Sequence, residues 1–140
     1  MAKITLGKPP ESFARTIDFM QVDGAPGSMN VTFIYRTRKE YGEFADGVVA
    51  EMETESAAEI DKVRALAAAK EPIPPLTQSD VIARELARDT KYVVKCIKGW
   101  NLDVPMTKET IAQLADEVPA AITAIAKVYR DAILEGQAGN

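Results

Sequence analysis

The chain has 140 residues, of which 46% are hydrophobic and 27% charged, with a formal net charge of −4. That length can bury a real core as a single domain, 1–140, and the acidic balance argues against a phosphate backbone as partner. A single cysteine excludes an intrachain disulfide, and no apolar run approaches the roughly eighteen residues that a membrane span requires.

Lys3-Ile4-Thr5-Leu6 has the composition of a short strand, ahead of an irregular Gly7-Lys8-Pro9-Pro10. From Arg15 to Val22 the residues alternate, with Ile17 and Phe19 on one side. Asp23-Gly24-Ala25-Pro26-Gly27 reads as a turn. The return run places Met29, Val31, Phe33 and Tyr35 on one face. Residues 1–36 therefore predict a β-hairpin with one buried face. A lone hairpin is marginal in water, so this one must rest on a helix or on another chain.

Thr37-Arg38-Lys39-Glu40 is a capping box, with Thr at the N-cap and Glu three places on. The helix it opens should turn Tyr41, Phe44 and Val48 inward, and Asp46-Gly47 is a candidate break, since glycine costs roughly 1 kcal/mol against alanine. Val49, Met52, Ser56, Ile60 or Glu59, Val63 and Leu66 continue a thin apolar stripe through an Ala- and Glu-rich segment, so 37–70 reads as helical. Such a stripe suits a partner helix, and Val49, Met52, Val63 and Leu66 are the candidate partner-binding positions. The prolines of 71–76 force an extended linker.

Residues 77–136 predict a three-helix unit. Thr77 or Ser79 caps a helix whose face is Val81, Ile82, Leu86, Val93, Ile97 and Trp100. Gly99 stands where a left-handed C-cap is needed, which throws Trp100 off the helix end. Pro105 bars continuation and Thr107 caps the next helix, with Ile111, Leu114 and Val118 on its face. Pro119 restarts the chain as a first-turn residue, and Ile122, Ile125, Ala126, Tyr129 and Ile133 make a third face closed by Gly136. Gly99, Trp100, Pro105 and Pro119 are the structural corners of this unit. Trp100 either stands on an exposed corner as a binding anchor or, the favoured reading, folds over Val93, Ile97 and Ile111 with its indole N–H seeking a carbonyl. The fold class is α+β and predominantly helical, a hairpin followed by a bundle of four to six helices.

Catalytic chemistry finds little here. The absence of histidine removes the usual near-neutral base and the commonest zinc ligand. Cys96 falls mid-helix in this reading and acts as a small core hydrophobe. Gly7-Lys8 lacks the rest of a phosphate loop, and Asn101-Leu102-Asp103 lacks the later ligands of a calcium loop. Glu51, Glu53, Glu55 and Glu59 read as a solvated face, as do Asp116 and Glu117. Arg36, Arg38 and Lys39 form a small basic cluster, solvated or facing an acidic partner. No catalytic residue, cofactor or metal is expected, and the chain does not read as an enzyme.

The run Lys98-Gly-Trp-Asn-Leu-Asp-Val-Pro-Met-Thr-Lys-Glu-Thr-Ile-Ala-Gln-Leu, then Val118-Pro-Ala-Ala-Ile-Thr-Ala-Ile, Tyr129, Ala132 and Gly139-Asn140, resembles the tail assembly chaperones of long non-contractile-tailed bacteriophages. A weaker match reaches back to Arg36-Thr-Arg-Lys-Glu-Tyr, and Met106 stands where Phe is more usual. The resemblance implies a non-enzymatic protein that binds the tail tape measure protein and helps recruit tail tube protein. It also implies residence in the host cytoplasm, absence from the mature virion, and a longer frameshifted form of the same frame. Ala138-Gly139-Asn140 can be encoded with a slippery string, as GCG-GGA-AAC, among many other spellings. Self-association is left open by the sequence, and neither nucleic acid nor membrane is expected as partner. The alternative is a structural tail or head-to-tail connector component of the virion.

Overall fold

The computed structural model describes residues 3–136. Among them are three strands and four helices: β1 Ser12–Met20, β2 Pro26–Ile34, α1 Arg38–Ala68, α2 Gln78–Val94, β3 Ile97–Trp100, α3 Lys108–Glu117 and α4 Pro119–Glu135. The α+β class and the N-terminal hairpin agree with the sequence, and the helix count sits at the lower end of four to six. The Asp23 carboxylate accepts from Ala25 N–H at 2.9 Å, and Gly24 adopts φ of +87°, in a turn over residues 21–25 that has the predicted length but lies two places earlier than 23–27. Pro26 and Gly27 already belong to β2. Ile4 and Leu6 form no strand and are almost fully exposed, because nothing covers either side of them.

The hairpin pairs Ile17 with Met29 and Phe13 with Phe33, which puts the alternating apolar residues of both strands on one face. Ile17, Met29, Val31 and Phe33 are buried there, against Ile122, Ile125 and Tyr129 of α4 and Ile111 and Ala115 of α3. The support that a two-stranded hairpin needs therefore comes from within the chain.

A third strand supplies the rest. Helix α2 does not run on to Gly99 as the apolar spacing suggested. It ends at Val94, and Cys96 N–H donates to the Val93 carbonyl at 2.9 Å in a tightened last turn. Ile97–Trp100 then pairs antiparallel with β2, with a bulge between Thr32 and Phe33. The open edge of β2 offers backbone partners that a longer helix would leave unmet, and Ile97 reaches the buried face opposite Phe33. Gly99 is thus a strand residue facing Thr32 and not a helix cap.

The other terminators behave as their chemistry dictates. Thr37 with Glu40, Thr77 with Asp80 and Thr107 with Thr110 each close a capping box. Pro119 occupies the first turn of α4, and Gly136 ends it at φ of +66°. Gly47 does not break α1, which runs unbroken for 31 residues, about 46 Å at roughly 1.5 Å per residue.

Candidate functional site

Helix α1 is rooted in the core only by its first turns. Tyr41 is its one buried residue, with Phe44 and Ala45 packed beside it. Beyond Val49 the helix leaves the body and runs antiparallel to α2, joined by the extended 71–77 segment. The two helices form an arm whose sides meet through charge. Glu51 takes Lys95 at 3.1 Å, Glu55 takes Lys91 at 2.8 Å and Glu59 takes Arg84 at 3.2 Å. These glutamates, expected as a solvated face, form instead a half-exposed ladder between the helices. The hydrogen bond from Lys91 holds the Glu55 carboxyl below its ordinary value, and Glu55 raises Lys91 in return. Exposed pairs of this kind contribute little stability each, so the ladder fixes register more than it adds free energy.

The arm's apolar residues face outward or into shallow clefts. Ile60, Val63, Ile73 and Leu76 are each about half exposed. With Leu66, Pro74 and Pro75 they line a cleft of about 620 Å³ at the arm's tip. Of the four predicted partner-binding positions, the structure brings Val63 and Leu66 together in this cleft. Met52 lies half-buried in the crevice between α1 and α2, beside Glu55 and Arg88. Val49 is exposed at the root, apart from both groups. Ile60 belongs to the predicted stripe, though not to the four candidates, and the sequence missed Ile73 and Leu76, although isoleucine and leucine among three prolines that no core can reach were a usable signal.

The root of the arm is held by a polar knot. The Arg36 guanidinium donates to the Lys95 carbonyl at 3.0 Å and to the Tyr129 hydroxyl at 2.8 Å, and lies 4.1 Å over the Phe44 ring. The Tyr129 hydroxyl in turn donates a hydrogen bond to the Ile34 carbonyl at 2.9 Å, and Tyr41 shares a hydrogen bond with Tyr92 at 2.9 Å. Arg36 is therefore an internal strut and not the solvated charge its neighbours suggested. Burial raises the Tyr92 and Tyr129 hydroxyls above the ordinary tyrosine value, the latter opposed by Arg36.

At the corner after β3, the Trp100 indole donates to the Val104 carbonyl at 2.8 Å. Its ring is half-buried against the core. Pro105 is exposed, and its carbonyl accepts from the Thr110 hydroxyl at 2.8 Å, tying the corner to the start of α3. Cys96 lies in the turn after α2, not mid-helix, and is fully buried. Burial pushes its thiol up to about 12, which keeps it protonated and unreactive. Among the described residues no group of three or more Cys, Asp or Glu is placed to hold a metal ion, and no helix is long and apolar enough to cross a membrane.

A family model for phage tail assembly chaperones matches residues 1–140, and the chain belongs to that family. No curated protein and no solved structure matches it.

Proposed function

We propose that this tail assembly chaperone acts, without enzymatic chemistry, by binding the tape measure protein of its phage and helping tail tube protein to assemble around it. The observation that carries this reading is the arm. Its tip gathers Ile60, Val63, Ile73 and Leu76 in the open, on a long helix pair with little apolar packing of its own. An amphipathic helix of a partner buries such a surface on contact, and releases it when a competing protein covers the partner instead. Val63 and Leu66 remain the preferred contacts, joined by Ile60, Ile73 and Leu76. Met52 acts in closing the arm.

The host cytoplasm is the place of action in this reading, with the protein absent from the finished virion. The frameshifted longer form depends on Ala138-Gly139-Asn140, which lies outside the described residues. The gene sequence at those codons decides it.

Co-expression with the neighbouring tape measure protein, followed by pull-down, is the test. A soluble complex is expected where the tape measure protein alone aggregates. Ile60→Glu with Val63→Glu should abolish the complex while circular dichroism stays unchanged. Failure to rescue, even with the longer product supplied, overturns the reading in favour of a virion component, which mass spectrometry of purified particles detects.

A further inference from the structure

A second surface lies at the opposite end of α1. Arg15, Arg36, Arg38 and Lys39 converge on a cleft of about 660 Å³ walled by Pro10, Phe13, Tyr35 and Ile133. None of the four cations has a carboxylate oxygen within 4.0 Å among the described residues, although the chain is acidic overall. The nearby Glu40 carboxylate is committed to the Thr37 backbone N–H at 2.8 Å.

Three of these cations stand where the fold alone disfavours them. Arg38 and Lys39 are the first two residues of α1, at the positive end of the helix dipole, where acidic residues would be stabilising. Arg15 sits in β1 between Phe13 and Ile17, on the sheet face that otherwise carries the core. Its Nε is buried without a hydrogen-bond partner. Arg15 lies 5.0 Å over the Phe13 ring, which keeps its guanidinium beside the cleft wall. Arg36 is already engaged by Tyr129 and Lys95, so it supplies field and not a free donor.

We propose that this cleft is a docking site for an acidic, partly apolar segment of a partner protein. Carboxylates would meet Arg15, Arg38 and Lys39, and one apolar side chain would fill the space between Phe13 and Ile133. The net charge of −4 disfavours an extended polyanion such as nucleic acid, and the apolar walls favour a peptide over a bare phosphate. This site is independent of the arm.

The test uses the full chain and a fluorescein-labelled peptide of alternating Asp and Glu around one central Phe. A peptide of the same length in Asn and Gln serves as the neutral control, with a single-stranded oligothymidylate for comparison. The acidic peptide is expected to bind, to weaken as salt is raised, and to bind roughly tenfold or more weakly to Arg38→Glu with Lys39→Glu. The same double variant should melt no lower than the parent, because it places acids at the helix start. Arg15→Gln should weaken binding with the tape-measure complex unaffected. Equal binding of the neutral peptide, tighter binding of the oligonucleotide, no binding of the acidic peptide, or unchanged affinity in the charge-reversed variant each overturns the proposal. So does salt-sensitive self-association of the protein that the same variant removes, since a second copy would then be the occupant.

Discussion

Arg36 donates to the hydroxyl of Tyr129 across 93 positions of sequence, at 2.8 Å, and that hydroxyl donates onward to the Ile34 carbonyl. One phenol thus ties the end of the hairpin, the entry to α1 and the middle of α4. Tyr129→Phe keeps the ring and its packing against Phe33 while stranding a guanidinium donor and a carbonyl. A loss of about 1–3 kcal/mol in urea unfolding is expected, and Phe13→Leu, which trims a half-buried ring beside Tyr129 and Phe33 and strands no polar group, should cost less.

The arm should open well below global unfolding. Its α1 portion buries no residue beyond Tyr41 at the root, and an ion-pair ladder stands in place of a core. Amide exchange in native buffer is expected to be fastest from Met52 to Ala83 and slowest in β2 and α4. Added salt should speed exchange in the arm and leave the sheet unchanged. Uniform protection across α1 would contradict this.

Thr77→Ala removes the hydroxyl that accepts from Asp80 N–H at 3.1 Å. A loss of roughly 1 kcal/mol of helix stability is expected, confined to α2 and visible as faster exchange in its first two turns. The sequence offered Thr77 or Ser79 for this cap and the structure places Thr77 there, so Ser79→Ala should cost less.

Acid should act through two opposing groups. Hydrogen bonds from Thr37 and Thr77 lower the Glu40 and Asp80 carboxyls, so their contribution is complete above the unfolded-state value, about 4, and is lost as pH falls through the folded value. Asp89 is raised, first by burial and then by Glu85, so its contribution is present at low pH and is lost as pH rises through the folded value. Asp89→Asn should therefore raise the melting temperature at pH 7 and have a shrinking effect below about pH 4. A constant difference across that range would contradict the assignment.

Cys96 should resist thiol reagents in the native protein at pH 8, because burial holds the thiol up to about 12. Full reaction is expected only on unfolding, so the labelling rate reads opening of the core.

Local chemistry carried most of the fold. The hairpin alternation from Ile17 to Phe33, the Thr caps and the Pro119 restart each depend on a few neighbouring residues and were legible as such. The error at Ile97–Trp100 has one cause. A strand of four residues, following a helix whose apolar spacing it continues, is indistinguishable by period from another helical turn. Only the vacant edge of β2, distant in sequence, decides between them. Gly47 misled for the converse reason, since the helix around it is otherwise made of good helix formers. At the candidate site the sequence located Val63 and Leu66, but not Ile73 and Leu76, because a proline-rich connector carries no periodicity to read. Arg36 looked like surface charge because its partners, Tyr129 and the Lys95 carbonyl, lie far along the chain.

The pairing of β2 with β3 across the whole length of the arm has a consequence for the order of assembly. The hairpin can form as soon as its own residues are made, yet its central strand then waits for Ile97–Trp100 to arrive from the far side of α1 and α2. Loop closure over that distance adds only modest entropy, but it delays the contact. During that interval the β2 edge, with Val31 and Phe33 beside it, stands bare, and a second nascent chain can occupy it. Each newly made copy of this tail assembly chaperone thus passes, on its ribosome, through a moment of edge exposure.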